Sequence, residues 1–311
     1  MTTHLPSAPL VSIVMPTYNR AEYILETINS IQKQNYTAWE LIIVDDGSDD
    51  NTRQIVNQVD DERINYYYIG HVGMEHSRKM GLEKAKGNYI GFMDSDDLWD
   101  PAKLQKQVKY LLENSQLAFT LTGGYEFKNL GEPLVFYYKQ RIGINHGDLF
   151  IPFFQSKVVA ATPSLLFRRE CLDNVSFSET EELAHIHFFL RLARKYSGAI
   201  LYEPLFFRRL HKTNYSTLNE AKRHHDGIQL IKCYKNRLPK QVFTDALFKS
   251  HINFGERCLK DHERLKAIRE FIQAWKHKPL NIIPFKKIVK AMASQEILNS
   301  NGKMSTVAVQ T

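Results

Sequence analysis

The residues best placed to do chemistry are carboxylates that follow short apolar runs. Asp94-Ser95-Asp96 closes the run YIGFMD. Two carboxylates one residue apart in an extended turn point the same way and can share one polar ligand. Hard oxygen ligands at the end of a buried strand suit Mg2+ or Mn2+ bridging phosphates. An ion held there would neutralise charge on a departing nucleoside diphosphate. A plainer role also fits, since Ser95, Asp96 or Asp97 could cap a helix starting near residues 99–101. Asp45-Asp46-Gly47 after LIIV offers a similar choice: the acids cap the next helix, or one of them hydrogen-bonds a base or ribose. No GxGxxG and no GxxxxGKS/T occurs, so a nucleotide would be held by metal and carboxylates, without a glycine-rich phosphate loop.

Positioning these groups falls to alternating strands and helices. Apolar, β-branched runs at 10–17 and 41–46 predict buried strands, and those at 64–69 and 89–94 predict two more strands. Between them lie helical patterns: Ile24, Leu25, Ile28 and Ile31 share one face, Ile55, Val56 and Val59 follow a Ser48-Asp49-Asp50 cap, and a third helix spans about 74–86. Pro101 stands near the first turn of a helix carrying Leu104, Val108, Leu111 and Leu112, and the run LAFTLT (117–122) follows. Such alternation implies right-handed crossovers and a parallel sheet sandwiched between helices. In these sheets the ligand lies beyond the carboxyl ends of the strands. Thr17-Tyr18-Asn19-Arg20, Asp45-Asp46-Gly47 and Asp94-Ser95-Asp96-Asp97 all fall at those ends. From 125 to about 215 the pattern is irregular, with short strands at 133–138 and 164–167 and a helix over about 181–196. After Ser216 it becomes amphipathic helices interrupted at Pro239, Pro279 and Pro284.

SIVMPTYNR (12–20), ELIIVDDGSDDNT (40–52), HSRKMGLEKAKGNYIGFMDSDDLWDP (76–101), FLRLA (189–193) and RRLH (208–211) occur in this order over about the first two thirds of the chain. The ordered set resembles the family 2 glycosyltransferases, whose members have the GT-A fold and transfer sugars from nucleotide-sugar donors with inversion. The resemblance implies that Thr17, Tyr18 and Asp46 hold the nucleobase, usually uracil. It places Arg78 toward the nucleotide or its phosphates, and Asp94 near the ribose and donor sugar. It makes Asp96 a metal ligand, and His211 a residue that contacts the metal or the diphosphate.

One departure bears on catalysis. Family members usually carry an acidic pair ahead of the aromatic-rich stretch, and its Asp is the general base. Here the segment reads Ala184-His185-Ile186-His187, with His185 where the base belongs. A neutral imidazole accepts a proton near neutral pH, so His185 is one candidate. Glu181 and Glu182, one turn earlier, are others. A third reading is that the base is lost and the chain is a nucleotide-sugar-binding or scaffold protein of the same fold. Lys79, where Asn commonly follows the arginine, is a smaller departure.

Composition is that of a globular protein, and three cysteines (Cys171, Cys233, Cys258) are too few for a disulfide framework. The opening MTTHLPSAP lacks the basic flank and apolar core of a signal peptide, and no apolar run reaches the length of a spanning helix. A cytoplasmic location is expected, with peripheral attachment to the inner face of the membrane as a further option. Residues 216–311 carry 18 Lys and Arg against 8 Asp and Glu, whereas the rest carries 23 against 26. The stretch 267–292 mixes this charge with aromatic and aliphatic residues. It reads either as an interfacial segment for anionic lipid or as a helical cap with a solvated basic face. No nucleic-acid-reading motif accompanies the charge. The expectation is an α/β domain with the GT-A fold over 8–215, a mostly parallel sheet flanked by helices. A basic helical extension over 216–298 and a loose end over 299–311 complete the chain. Its partners are a nucleotide-sugar donor, with UDP-hexose favoured, and a glycan or lipid-linked acceptor. Its cofactor is Mn2+ or Mg2+.

Overall fold

The run VSIVMPT has all seven of its side chains buried, which requires a strand covered on both faces of its sheet. It forms β1 (Val11–Thr17) of a computed structural model that describes residues 8–132, 134–138, 146–178, 183–214 and 220–293. The chain divides into two compact units, Met1–Leu218 and Asn219–Thr311.

In the first unit β1 is followed by α1 (Ile24–Gln32), β2 (Trp39–Asp45), α2 (Thr52–Asn57), β3 (Ile64–Tyr68), α3 (Met74–Lys84) and β4 (Tyr89–Phe92). Next come the two-residue β5 (Leu98–Trp99), α4 (Lys103–Glu113), β6 (Phe119–Phe127), β7 (Val135–Tyr138) and β8 (His146–Gly147). α5 (Phe150–Phe154), β9 (Leu166–Arg168), α6 (Ala184–Lys195) and β10 (Gly198–Arg209) complete it. Among the described residues the strands form one sheet in the order β3-β2-β1-β4-β9-β6-β10-β5, with β7 beside β6 and β8 beside β10. β3, β2, β1 and β4 run parallel. β9 enters antiparallel between β4 and β6, and β6 and β10 are again parallel. The parallel half is the part the alternating pattern foretold. The antiparallel insertions come from short strands whose pairing has no signature in sequence periodicity.

β10 is the element the sequence pattern hides. Its segment GAILYEPLFFRR interrupts the apolar run with Glu203 and Pro204, and the pairing with β6 shifts register on either side of Pro204. A proline fits there because an irregularity spares the ladder its missing N–H. The strand ends at Arg209, beside the 94–97 segment: the Arg209 amide donates to Asp97 Oδ1 at 3.0 Å.

α3 packs unusually close to the sheet. A Cβ on Gly81 would stand 2.3 Å from Val14 Cγ1, so only glycine lets this helix rest on β1. The approach fixes Arg78, one turn earlier, at 2% exposure beside the strand tips. The core around these elements includes Ile13, Met15, Ile28, Leu41, Ile43 and Met93.

The second unit contains α7 (Glu220–Cys233), α8 (Lys240–Lys260), α9 (Arg264–His277) and α10 (Ile282–Ala293). Phe248, Ile252, Cys258, Ala267, Phe271 and Ala274 form its core. Among the described residues no helix is long and apolar enough to cross a membrane.

Candidate active site

Strand register brings the polar tips together. Thr17, the last residue of β1, pairs with Asp45, the last of β2, and the Met93 amide donates to Val14 O at 3.0 Å, which holds the start of the 94–97 segment beside β1. The 17–20 loop ties the two sets of acids to each other. Thr17 O accepts from the Asp46 amide (2.9 Å), the Asn19 amide donates to Ser48 Oγ (2.9 Å), and Arg20 Nε donates to Asp96 Oδ2 (3.1 Å). Asp46 and Asp96 therefore open on the same end of the sheet.

Asp46 is organised by backbone. Its Oδ1 accepts the amides of Val72 (2.8 Å) and Gly73 (2.9 Å) just ahead of α3, where Gly73 adopts φ +106°, a conformation costly for any other residue. Beside it the Tyr18 and His71 rings lie 4.5 Å apart, and Tyr18 is 40% exposed. Thr17 Oγ1 is buried and makes no hydrogen bond. Asp45 turns the other way, taking the Ser48 amide (2.7 Å) and the Tyr66 hydroxyl (2.5 Å), which leaves it a structural part.

Asp96 meets His211, with Nε2 to Oδ2 at 3.0 Å, and Arg20 shares the same oxygen. Burial favours protonation of Asp96, but the hydrogen bond from His211 and the charge of Arg20 outweigh it and hold the carboxyl below its ordinary range. Asp97 behaves oppositely. Burial, then the negative charges of Asp96 and Asp94, push it well above the ordinary value. The capping role open to residues 95–97 is not what the structure shows. The helix starts later, at Lys103, and Asp100 Oδ1 accepts the Ala102 amide (2.9 Å) at its entrance. Asp97 instead fastens the segment to β10, and Arg209 Nε donates to Asp96 O (3.0 Å).

A cation fits the Asp96–His211 pair by its donor set, a carboxylate oxygen beside an imidazole nitrogen. Asp94 is engaged elsewhere: its Oδ1 accepts from Arg78 Nη2 at 2.9 Å. Arg78 also forms an ion pair with Glu75 through Nη1 at 3.0 Å, and its buried Nε has no partner.

Glu75 continues the chain of contacts. Its Oε1 lies 3.1 Å from His185 Nδ1, at the start of α6. Burial pushes the Glu75 carboxyl up, yet Arg78 and His185 overcome it and hold it at about 2. An ionised carboxylate against Nδ1 selects the tautomer with a proton on Nδ1, leaving the Nε2 lone pair free to accept. His185 is thus joined through Glu75 and Arg78 to Asp94. Glu181 and Glu182 lie outside the described residues.

Every described candidate from the sequence reaches this end of the sheet. Glu75 and His71 had no part in the sequence reading, and Arg20 and Asp97 stood there only among the polar strand ends, without the partners they take here. Glu75 had a legible signal: it precedes Arg78 by three positions on one helix face. The others depend on contacts between distant segments. A cavity of about 620 Å3 bordered by Leu10, Asn88 and Arg168 opens at the opposite, amino ends of β1 and β4, away from the carboxylates.

Residues 12–174 match the model of the family described as Glycosyl transferase family 2. An E. coli protein, UDP-Glc:alpha-D-GlcNAc-diphosphoundecaprenol beta-1,3-glucosyltransferase WfgD, is 43% identical over 124 residues, 39% of this chain and 47% of its own. The chain spans about half the length of curated relatives it matches, WfgD among them. Among solved structures, S. aureus TarS 1-349 in complex with UDP-GlcNAc is similar with a TM-score of 0.65 at 17% identity, covering 95% of this chain and 92% of that one. Mannosyltransferase PcManGT from Pyrobaculum calidifontis, in complex with GDP-Man and Mn2+, gives 0.61 at 18% identity, covering 96% and 82%. At such identities these two likenesses speak to the GT-A fold alone.

Proposed function

We propose that this chain, which belongs to glycosyl transferase family 2, moves a hexose from a UDP-sugar to a hydroxyl of a glycan or lipid-linked acceptor, with inversion. The observation that carries the reading is the gathering of Asp46, Arg78, Asp94, Asp96, His185 and His211 at one end of the sheet, with Asp94–Arg78–Glu75–His185 and Arg20–Asp96–His211 each joined by hydrogen bonds and ion pairs. WfgD, named for a UDP-Glc donor and a diphosphoundecaprenol-linked acceptor, supports the choice of donor and acceptor class.

In this mechanism Tyr18 and Thr17 receive the uracil, Thr17 with a hydroxyl that has no partner of its own. Asp46 shapes that pocket through the turn at Val72 and Gly73. Arg78 lies against the donor, its charge fixed by Glu75 and Asp94. His185 Nε2 takes the proton of the acceptor hydroxyl while Glu75 holds the ring and stabilises the imidazolium that forms. The acceptor oxygen bonds to the anomeric carbon from one face, and the bond to the diphosphate oxygen breaks on the other. The departing oxygen keeps the electron pair. Asp96 and His211 would hold Mn2+ or Mg2+, which supplies charge neutralisation to the leaving diphosphate.

Calorimetry of UDP-, dTDP- and GDP-sugars with and without Mn2+ tests the donor, followed by single-turnover transfer. Tight UDP-sugar binding that depends on the metal is expected. A chain that binds UDP-sugar but neither hydrolyses nor transfers it across an acceptor panel would be a binding or scaffold protein.

Peripheral contact with an anionic membrane belongs to the same reading. Along α10, Ile282, Phe285, Val289 and Met292 are 48% to 60% exposed on one stripe, flanked by Lys286 and Lys290, while Ala291 is buried on the other side. Apolar side chains interleaved with lysines suit the boundary between headgroups and acyl chains. Co-sedimentation with phosphatidylglycerol vesicles, lost when Phe285 and Val289 become Ser, is the expected result. Equal pelleting with neutral vesicles would remove the electrostatic part of the argument.

A further inference from the structure

The second unit holds a cluster with a different chemistry. His224 on α7, His251 on α8 and Glu270 on α9 meet at one carboxylate oxygen. His224 Nε2 lies 3.0 Å and His251 Nδ1 2.7 Å from Glu270 Oε2. The three ligand atoms lie within 4.8 Å of one another. The side chains are only 11%, 12% and 18% exposed, so three separate helices converge on a nearly dry point.

We propose that His224, His251 and Glu270 form a zinc site, completed by a water molecule, that staples α7, α8 and α9 together. Tetrahedral zinc binds nitrogen and oxygen at about 2.0–2.2 Å, which sets its ligand atoms roughly 3.3 Å apart. The two observed nitrogen–oxygen separations, 3.0 and 2.7 Å, are shorter than that by less than an ångström, the scale on which side-chain rotation moves a ligand atom. Two imidazoles and one carboxylate favour zinc over Mg2+ or Ca2+, which prefer all-oxygen sets.

The rings are also held from behind, as liganding histidines are. His224 stacks on Phe254 with centroids 4.1 Å apart and an interplanar angle of 15°, and its other nitrogen, Nδ1, is 3.5 Å from Ser250 Oγ. His251 stacks on His277 at 5.6 Å and 14°. A metal bridging three of these helices adds binding free energy directly to folding.

The alternative is a plain hydrogen-bond cluster in which both imidazoles donate to Glu270. Zinc titration of the full chain distinguishes the two. An Asp96→Ala background removes the cation locus of the first unit. After chelation and dialysis, the Asp96→Ala protein is expected to take up one equivalent of Zn2+ by elemental analysis, and its melting temperature to rise with added zinc. Adding His251→Ala or Glu270→Gln should weaken zinc binding by ten-fold or more and abolish the thermal shift. Glu270→Gln keeps the size of the side chain and one hydrogen-bonding oxygen, so it reports on the site even if the histidine variants unfold. Absence of the zinc equivalent in the Asp96→Ala protein would overturn the proposal. Zinc uptake unchanged by Glu270→Gln and His251→Ala would overturn it equally.

Discussion

His211 Nε2 lies 3.0 Å from Asp96 Oδ2 across 115 positions of sequence, with the ends of two strands, β4 and β10, delivering one residue each. The pair needs both anchors. Asp97 takes the Arg209 amide, and Arg209 returns a bond to the Asp96 carbonyl. That lock, with the bond from the His211 amide to Asn214 Oδ1, sets the histidine against the carboxylate.

Asp96→Ala is expected to lower the transfer rate by about 10²–10³-fold, the scale of losing one preorganised group at a developing charge. It should also remove the metal dependence of UDP-sugar binding. Single-turnover rates and calorimetry check both. Affinity equal to wild type for every donor, with the metal effect intact, would remove Asp96 from the site.

His185→Ala should lower the transfer rate by about 10²–10⁴-fold, the usual worth of a positioned general base, and leave UDP-sugar affinity unchanged. Glu75→Gln should act on the same step through the ring it orients, lowering the rate and altering its pH profile. A rate indifferent to both changes would move the base elsewhere.

Glu75 also makes an acid-stability prediction. Its folded carboxyl sits at about 2 against an ordinary 4.5. A depressed carboxyl contributes stability that is full above the unfolded value and is lost as pH falls from about 4.5 toward 2. The contribution is on the order of 3 kcal/mol, since the side chain is largely buried. Urea unfolding of wild type should show an acid limb, and Glu75→Gln should make it shallower.

Thr17→Val removes a buried hydroxyl that has no partner. Without donor the variant should be as stable as wild type or about 1 kcal/mol more so, because an unsatisfied polar group is replaced by a methyl of similar shape. With UDP present its affinity should fall several-fold. A loss of stability with unchanged UDP affinity would make the residue structural.

Lys103 is fully buried, bonded to Gln107 and 4.6 Å from the centre of the Trp99 ring, and burial pushes its ammonium down to about 7. Here the folded state releases its proton first, so stability should rise with pH between about 7 and 10.5, by a few kcal/mol. Denaturant unfolding across that range checks it, and Lys103→Met should lose the slope.

The parallel half of the sheet and its carboxylate tips were legible because strand and helix periods alternate there in plain sequence. Three of its four strands, β1, β2 and β4, also end in a polar signature: PTYNR, DDGS and DSDD. Family membership followed from the same ordered segments. β10 was not legible, because Glu203 and Pro204 break its apolar run and only pairing with β6 makes it a strand. Residue types alone did not say which acid serves which purpose; only the family resemblance singled out Asp46 and Asp96. Asp45 and Asp46 are neighbours of one type, yet one faces Tyr66 and the other the amides of Val72 and Gly73. Asp96 and Asp97 shift in opposite directions because one meets His211 and Arg20 while the other is buried among acids. Residue types and spacing are local and fix what chemistry is on offer. Burial and long-range partners exist only once the chain is folded, and they decide which oxygen is charged, which nitrogen is free and what each one faces.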